Sequence, residues 1–129
     1  EVKLAHELFE SFDFSKIKLN CNSSLTLLSH CTETTAMPSA SNVWKNIFSQ
    51  LGLELKTPTT GCCGMAGTYG HEKQNFEKSQ LLYESSWKKK IENEELDTIL
   101  ATGFSCRSQV KRFEGTKPLH PIEFIASRL

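Results

Sequence analysis

Four of the chain's five cysteines lie where their type and surroundings suit ligation. Cys62 and Cys63 are adjacent within Gly61-Cys62-Cys63-Gly64-Met65-Ala66-Gly67-Thr68-Tyr69-Gly70, a segment with glycine at every third position. Glycine admits positive φ and close backbone approach, so this loop can fold round a small bound centre and turn amides toward thiolate charge. Cys31 and Cys106 each follow an apolar run. Thiolates are the soft ligands of iron–sulfur clusters, and four complete the usual set for a [4Fe–4S] centre; tetrahedral zinc accepts the same four. No C-x-x-C pair is present, so spacing alone does not choose between them. The loop has neither G-x-G-x-x-G nor a terminal Lys-Ser/Thr, which argues against a nucleotide phosphate site.

The remaining candidates are single residues. Cys21, in Asn20-Cys21-Asn22, has no partner motif and is read as a non-ligand. His30 either orients the turn before Cys31 or hydrogen-bonds the sulfur of a bound centre, the first being the simpler role. His71 closes the glycine loop and is an alternative ligand. His120, before Pro121, suits a helix cap, and His6 a surface position. Cys63 with His71 would be the enzyme alternative, a thiol nucleophile with its base, but no third residue orients the pair. A Cys62–Cys63 disulfide would be a strained, easily reduced switch. Both rank below metal binding, with zinc-stabilised docking and metal-free thiol redox chemistry as the competing functional classes.

Fifteen basic residues balance fifteen acidic ones among 129 residues, which gives no field for nucleic acid or an anionic membrane. At 38% apolar content the chain can bury one modest core without disulfides. No apolar run approaches the ~20 residues of a membrane span, and no signal-peptide pattern opens the chain. A cytoplasmic domain is expected, peripheral at most to the inner face of a membrane through a larger parent. The start at Glu1, inside a helical pattern, suggests a piece of that larger chain.

Strands and helices must bring the cysteines together. Val2, Ala5, Leu8, Phe9 and Phe12 have helical spacing; Ile17 and Leu19 suggest an edge strand; Leu25 to Ser29 reads as a buried strand. A helix capped by Ser39 or Ser41 carries Val43, Trp44, Ile47, Phe48 and Leu51 and stops at Gly52, before a strand at Leu53 to Leu55. Phe76, Tyr83, Trp87 and Ile91 mark one face of a long charged helix, with Lys88 to Lys90 in solvent. Thr98 to Thr102 is a strand; a helix capped by Ser105 carries Gln109, Val110 and Phe113 to Gly115. Lys117 to Leu119 is a short strand, and Pro121 opens a helix running to Leu129. This alternation predicts one α/β domain: a small parallel sheet of at least three strands flanked by helices, with Cys31, Cys62 and Cys106 on loops at the strands' C-terminal ends.

Gly61-Cys62-Cys63-Gly64 resembles the signature of the cysteine-rich CCG domain. Ser29-His30-Cys31 resembles its first-cysteine motif, Ala101-Thr102-Gly103-Phe104-Ser105-Cys106 its last, and Leu119-His120-Pro121-Ile122-Glu123 its closing segment. The likeness spans residues 25 to 129, within a single domain of residues 1–129. It implies the C-terminal part of FAD-linked iron–sulfur oxidoreductases of the D-2-hydroxyglutarate or D-lactate dehydrogenase type, or the glycolate oxidase iron–sulfur subunit. The implied metal ligands are Cys31, Cys62, Cys63 and Cys106, with Gly61, Gly64, Gly67 and Gln109 also meeting the cofactor. In the fullest pattern the last motif is C-x-x-C, whereas here Gln109 takes the second place, as in glycolate-oxidase-like members; that argues against a five-cysteine noncubane cluster. The resemblance further implies upstream FAD and ferredoxin-like domains as partners, and relay of electrons from flavin to an unidentified acceptor. On this reading the 129 residues alone catalyse nothing.

Overall fold

The alternation of apolar runs is realised around a three-stranded parallel sheet. The computed structural model describes residues 1–129. Its strands are β1 (Leu25–Leu28), β2 (Leu55–Lys56) and β3 (Ile99–Ala101), in the order β2-β1-β3. Leu25 pairs with Leu55, and Leu27 with Leu100. Leu119 adds one parallel bridge to Leu100, in place of the short strand expected at Lys117 to Leu119. All four residues of β1 are buried, as a parallel strand covered on both faces requires.

Side chains alternate across the strands and so feed two cores. Leu25, Leu27 and Leu100 join Trp44, Ile47, Phe48, Phe124 and Ile125 on one face. These come from α3 (Ala40–Gln50) and α7 (Pro121–Ser127). Leu28, Ile99 and Ala101 join Tyr83, Trp87, Ile91 and Val110 on the other face, together with Cys63 and Cys106. That second layer is α4 (Phe76–Tyr83), α5 (Lys89–Ile91) and α6 (Phe104–Glu114). The long charged helix is interrupted between α4 and α5 by a π-helical turn at Glu84–Lys88.

Several expectations need correction. The first helix, α1, covers only Ala5–Glu10. Ile17 and Leu19 form no strand but pack irregularly on the first core, as does Cys21. Cys31 and Cys106 lie not on loops but inside helices. Cys31 begins α2 (Cys31–Ala36) and Cys106 is the third residue of α6. The cap of α6 is Gly103 rather than Ser105, and Ser39, at the start of α3, makes no side-chain cap. His6 is buried rather than on the surface, with its Nδ1 4.0 Å from Glu33 Oε1. α7 ends at Ser127 rather than Leu129. Gly52 and Gly115 end α3 and α6 at positive φ, as expected.

His120 caps α7. Its Nδ1 accepts from the Ile122 amide at 3.2 Å, and Glu123 Oε2 accepts from the His120 amide at 2.7 Å. Burial, and then the nearby Arg107, push the imidazole pKa below its usual value. A lowered folded-state value means that the unfolded chain binds the proton first as pH falls. His120 therefore contributes its stability in full above roughly pH 6.5 and loses it as pH falls toward the lowered value. His120→Asn keeps a capping oxygen without titrating. It should flatten the pH dependence of the unfolding midpoint below pH ~6.5, while His120→Ala should cost about 1 kcal/mol at neutral pH. Denaturant unfolding across pH checks both.

Candidate metal and redox site

The glycine loop is held by its carbonyls. Trp87 Nε1 donates to Gly61 O at 3.0 Å, and Ser86 Oγ to Cys62 O at 2.6 Å. Gln109 Nε2 donates to Cys63 O at 3.0 Å, and Ser79 Oγ to Gly64 O at 2.8 Å. Four successive carbonyls thus point toward helical side chains. Ser86 and Trp87 come from the π-helical turn, a form of backbone often found at functional sites. Arg112 Nη1 closes the far end of the loop by donating to Gly70 O at 2.6 Å.

With the carbonyls engaged, amides face the sulfurs. The Gly64 N–H donates to Cys62 Sγ at 3.3 Å, and the Met65 amide helps to lower the Cys63 thiol pKa. Gly64, Ala66 and Gly67 all take positive φ. Gly64 is also sterically obligatory, because an added Cβ would lie 2.3 Å from Ser79 O and 3.0 Å from Gln109 Nε2. Gly70 is similarly closed in, with 2.7 Å to Gly64 O. Around Gly67 nothing lies within 4 Å. At Gly61 the nearest atom is Ser86 Cβ, 3.3 Å away.

The other two cysteines approach from the ends of β1 and β3. His30 caps α2, its Nδ1 accepting from the Thr32 amide at 3.1 Å, while its own N–H donates to Thr102 Oγ1 at 3.1 Å. That bond ties the two turns that carry Cys31 and Cys106, so His30 has the orienting role. Gly103 lets them close up: a Cβ there would meet His30 Cδ2 at 2.6 Å and Cys106 Sγ at 2.7 Å.

The four thiols interact. Hydrogen bonding from Cys106 lowers Cys63 to about 7, outweighing burial. The same contact, followed by burial, holds Cys106 far above the usual thiol range. Burial raises Cys62, which also feels Cys63 and Cys31, and Cys106 in turn feels Cys31. Cys63 and Cys106 are buried, Cys62 is half-buried and Cys31 exposed. All five cysteines are free thiols, and Cys21 stands apart from the set. His71 is exposed in the turn Tyr69–His71. No three His, Cys, Asp or Glu side chains stand at the spacing of a ready single-ion site. The donor chemistry nevertheless fits a soft-metal or iron–sulfide centre: four thiols that influence one another, one already poised to ionise, with amides aimed at two of them.

The model of the cysteine-rich domain named CCG matches residues 25–111. The chain belongs to the CCG cysteine-rich domain family. D-2-hydroxyglutarate dehydrogenase of Pantoea ananatis is 45% identical over 123 residues, which is 95% of this chain and 12% of that relative. The Escherichia coli K12 protein of the same name is 52% identical over 94 residues, 73% of this chain and 9% of that relative. A subunit of the anaerobic glycerol-3-phosphate dehydrogenase of Escherichia coli K12 is 33% identical over 78 residues, 60% of this chain and 19% of its own length. The chain thus spans a small part of each of these relatives, and no solved structure matches this chain. No helix of the domain is long and apolar enough to cross a membrane.

Sequence reasoning missed the brackets behind the cysteines, namely Ser79, Ser86, the Trp87 N–H and Arg112. A usable signal was present, since Ser79 and Ser86 fall on the buried face marked by Tyr83, Trp87 and Ile91. A serine on an apolar helix face needs a partner inside.

The loop geometry separates two glycines of the same motif. Gly67→Ala meets only the left-handed backbone penalty, about 1 kcal/mol. Gly64→Ala adds a clash with α4 backbone and should cost several-fold more, releasing the loop. Thermal unfolding of the two variants side by side checks the contrast; equal losses would contradict it.

Proposed function

We propose that the domain holds an iron–sulfur centre through Cys31, Cys62, Cys63 and Cys106 and passes electrons within an FAD-linked 2-hydroxy acid dehydrogenase. The carrying observation is that these four thiols, from three separate segments, influence one another at one end of the parallel sheet, while Cys21 packs against the opposite core. The dehydrogenase names of the relatives and the small part of them that the domain spans support the setting. Residues 1–129 are on this reading one domain of a longer chain whose upstream FAD and ferredoxin-like domains supply the electrons. The centre supplies one-electron steps between a two-electron flavin and an acceptor.

The chain's own residues do the rest. Cys63 is held toward its thiolate form, and Cys106 would give up the proton it shares with Cys63 on ligating, because a ligating thiol is deprotonated outright. The Gly64 and Met65 amides offset negative charge on sulfur. Gly61, Gly64 and Gly67 let the loop backbone approach the centre. Gln109 holds the Cys63 carbonyl and keeps that residue's sulfur turned inward, and Tyr83 and Trp87 close the buried side against water.

In the full-length protein, Cys62→Ser or Cys63→Ser should lower electron delivery to an acceptor dye by about a hundredfold or more, as expected for lost cluster ligands, while flavin reduction by the 2-hydroxy acid survives. Cys21→Ser should alter neither. Rapid-mixing spectroscopy separates the two steps, and normal dye reduction in the Cys62 and Cys63 variants refutes the relay.

Metal analysis after anaerobic reconstitution with iron and sulfide distinguishes the centre itself. Iron and acid-labile sulfide should bind with a visible absorption that is lost in Cys63→Ser. Retention of zinc alone, with no such absorption, would leave a structural site and refute electron transfer.

A further inference from the structure

A cleft of about 470 Å³ opens beside the cysteines, between the ends of β1 and β3. β1 runs to β2 on one side and lies against β3 on the other, so the cleft sits where strand connections diverge, the usual ligand position in open parallel sheets. Gly103 and His30 line it, and a Cβ added to Gly103 would lie 2.7 Å from the Cys106 sulfur. One residue's thickness therefore separates the cleft from the thiol set.

The polar groups of the cleft define what it would take. His30 and His120 both line it, and each spends Nδ1 as an acceptor for a helix amide. A neutral ring whose Nδ1 accepts must carry its hydrogen on Nε2, and neither Nε2–H has a partner in the fold. Glu33, the carboxylate of the cleft, already accepts from Thr102 Oγ1 and faces His6. No lysine or arginine lines the cavity. The unspent capacity is thus neutral N–H donors set in walls of Leu4, Ala36 and Met37. That combination suits an uncharged molecule with an apolar body and carbonyl acceptors, and a carboxylate in the wall disfavours an anion.

Apolar surface continues outward from the rim. Leu4, the N-cap of α1, lines the cleft, and Leu8 within α1 and Phe12 just beyond its end follow at four-residue spacing, all three close to half exposed. A hydrophobic tail on the ligand would lie along that stripe.

We propose that this cleft binds the ring of a prenyl-type quinone, which serves as the electron acceptor. The proposal rests on the relay reading above. The ring carbonyls accept from the His30 and His120 N–H groups, and the tail follows Leu4, Leu8 and Phe12. The quinone takes two electrons, delivered singly from the sulfur-held centre, and two protons from water at the cleft mouth, leaving as the hydroquinone. The electrons originate in the 2-hydroxy acid, which is oxidised to the 2-oxo acid at the flavin.

The test uses the oxidised full-length protein without substrate, so that no electron transfer is required. Equilibrium dialysis with a decyl-tailed 1,4-benzoquinone should show saturable binding of one molecule per chain. Ala36→Trp, which fills the cleft from an exposed helix position, should weaken it about tenfold or more with an unchanged circular dichroism spectrum. An azide-bearing analogue of the same quinone should label peptides from residues 30–37 and 102–120 in the unmutated protein, a readout that does not depend on the variant folding. Absent saturable binding, undiminished binding in a folded Ala36→Trp, or labelling confined to other domains would overturn the proposal. Failure here together with lost acceptor reduction in Cys62→Ser would overturn the quinone site alone and leave the relay standing.

Discussion

The site depends on the capture of four consecutive carbonyls, Gly61 to Gly64, by side chains of the second helical layer. A peptide unit carries its N–H opposite its C=O, so fixing the carbonyl side fixes where the amide points. Trp87, Ser86, Gln109 and Ser79 hold one side, and the Gly64 and Met65 amides are thereby presented to sulfur. Buried carbonyls demand partners in any case. Here the same bonds that satisfy them aim the loop. The Gln109 Nε2 reaches both Cys63 O and Ser79 Oγ, at 3.0 and 2.8 Å, so two of the four brackets are joined through one amide group.

This arrangement explains why the second core is built as it is. Trp87 and Tyr83 are fully buried, and the Tyr83 hydroxyl donates to Glu114 Oε1 at 3.0 Å. Burial, followed by Glu114, holds the phenol pKa well above its ordinary value. These rings fix the spacing of α4 and α6 across which the loop is slung. Arg112 lies over the Phe76 ring at 4.6 Å while it holds Gly70 O, so the loop's last turn is pinned to the same helices as its first. Loop and helices are one structural unit.

Much of this was legible in the sequence because it follows from strong local signals. The apolar runs read as strands at Leu25 to Ser29 and Thr98 to Thr102 contain the observed Leu25–Leu28 and Ile99–Ala101, Pro121 after His120 gave a capped helix, and Gly52 and Gly115 gave helix ends. The cysteine positions at strand ends followed from the parallel topology. What could not be read was contact between distant residues. The start of α2 at Cys31 depends on His30 bonding Thr102, 72 positions away, and the burial of His6 depends on α2 being there to cover it. The π-helical turn leaves no periodicity of its own, since its effect is to break one. Ile17 and Leu19 alternate like an edge strand, yet β2 is only two residues long and offers no ladder for them to extend.

The cysteines also differ in their access to water, and the order has a physical consequence. Cys31 is exposed, Cys62 half-buried, Cys63 and Cys106 buried. Thiolate charge is disfavoured by burial and favoured by N–H donors, and both act on Cys62 and Cys63: burial prevails at Cys62, hydrogen bonding at Cys63. Cys106 keeps its proton first through its hydrogen bond to Cys63 and then through burial, while that same hydrogen bond holds Cys63 down to about 7. Ligation would remove that shared proton and leave two buried sulfurs charged within the apolar cluster that also holds Leu28 and Val110. Solvent would then meet the set at Cys31 and Cys62. Burial on one side and access on the other gives the domain a direction, which a uniformly exposed set of four thiols would lack.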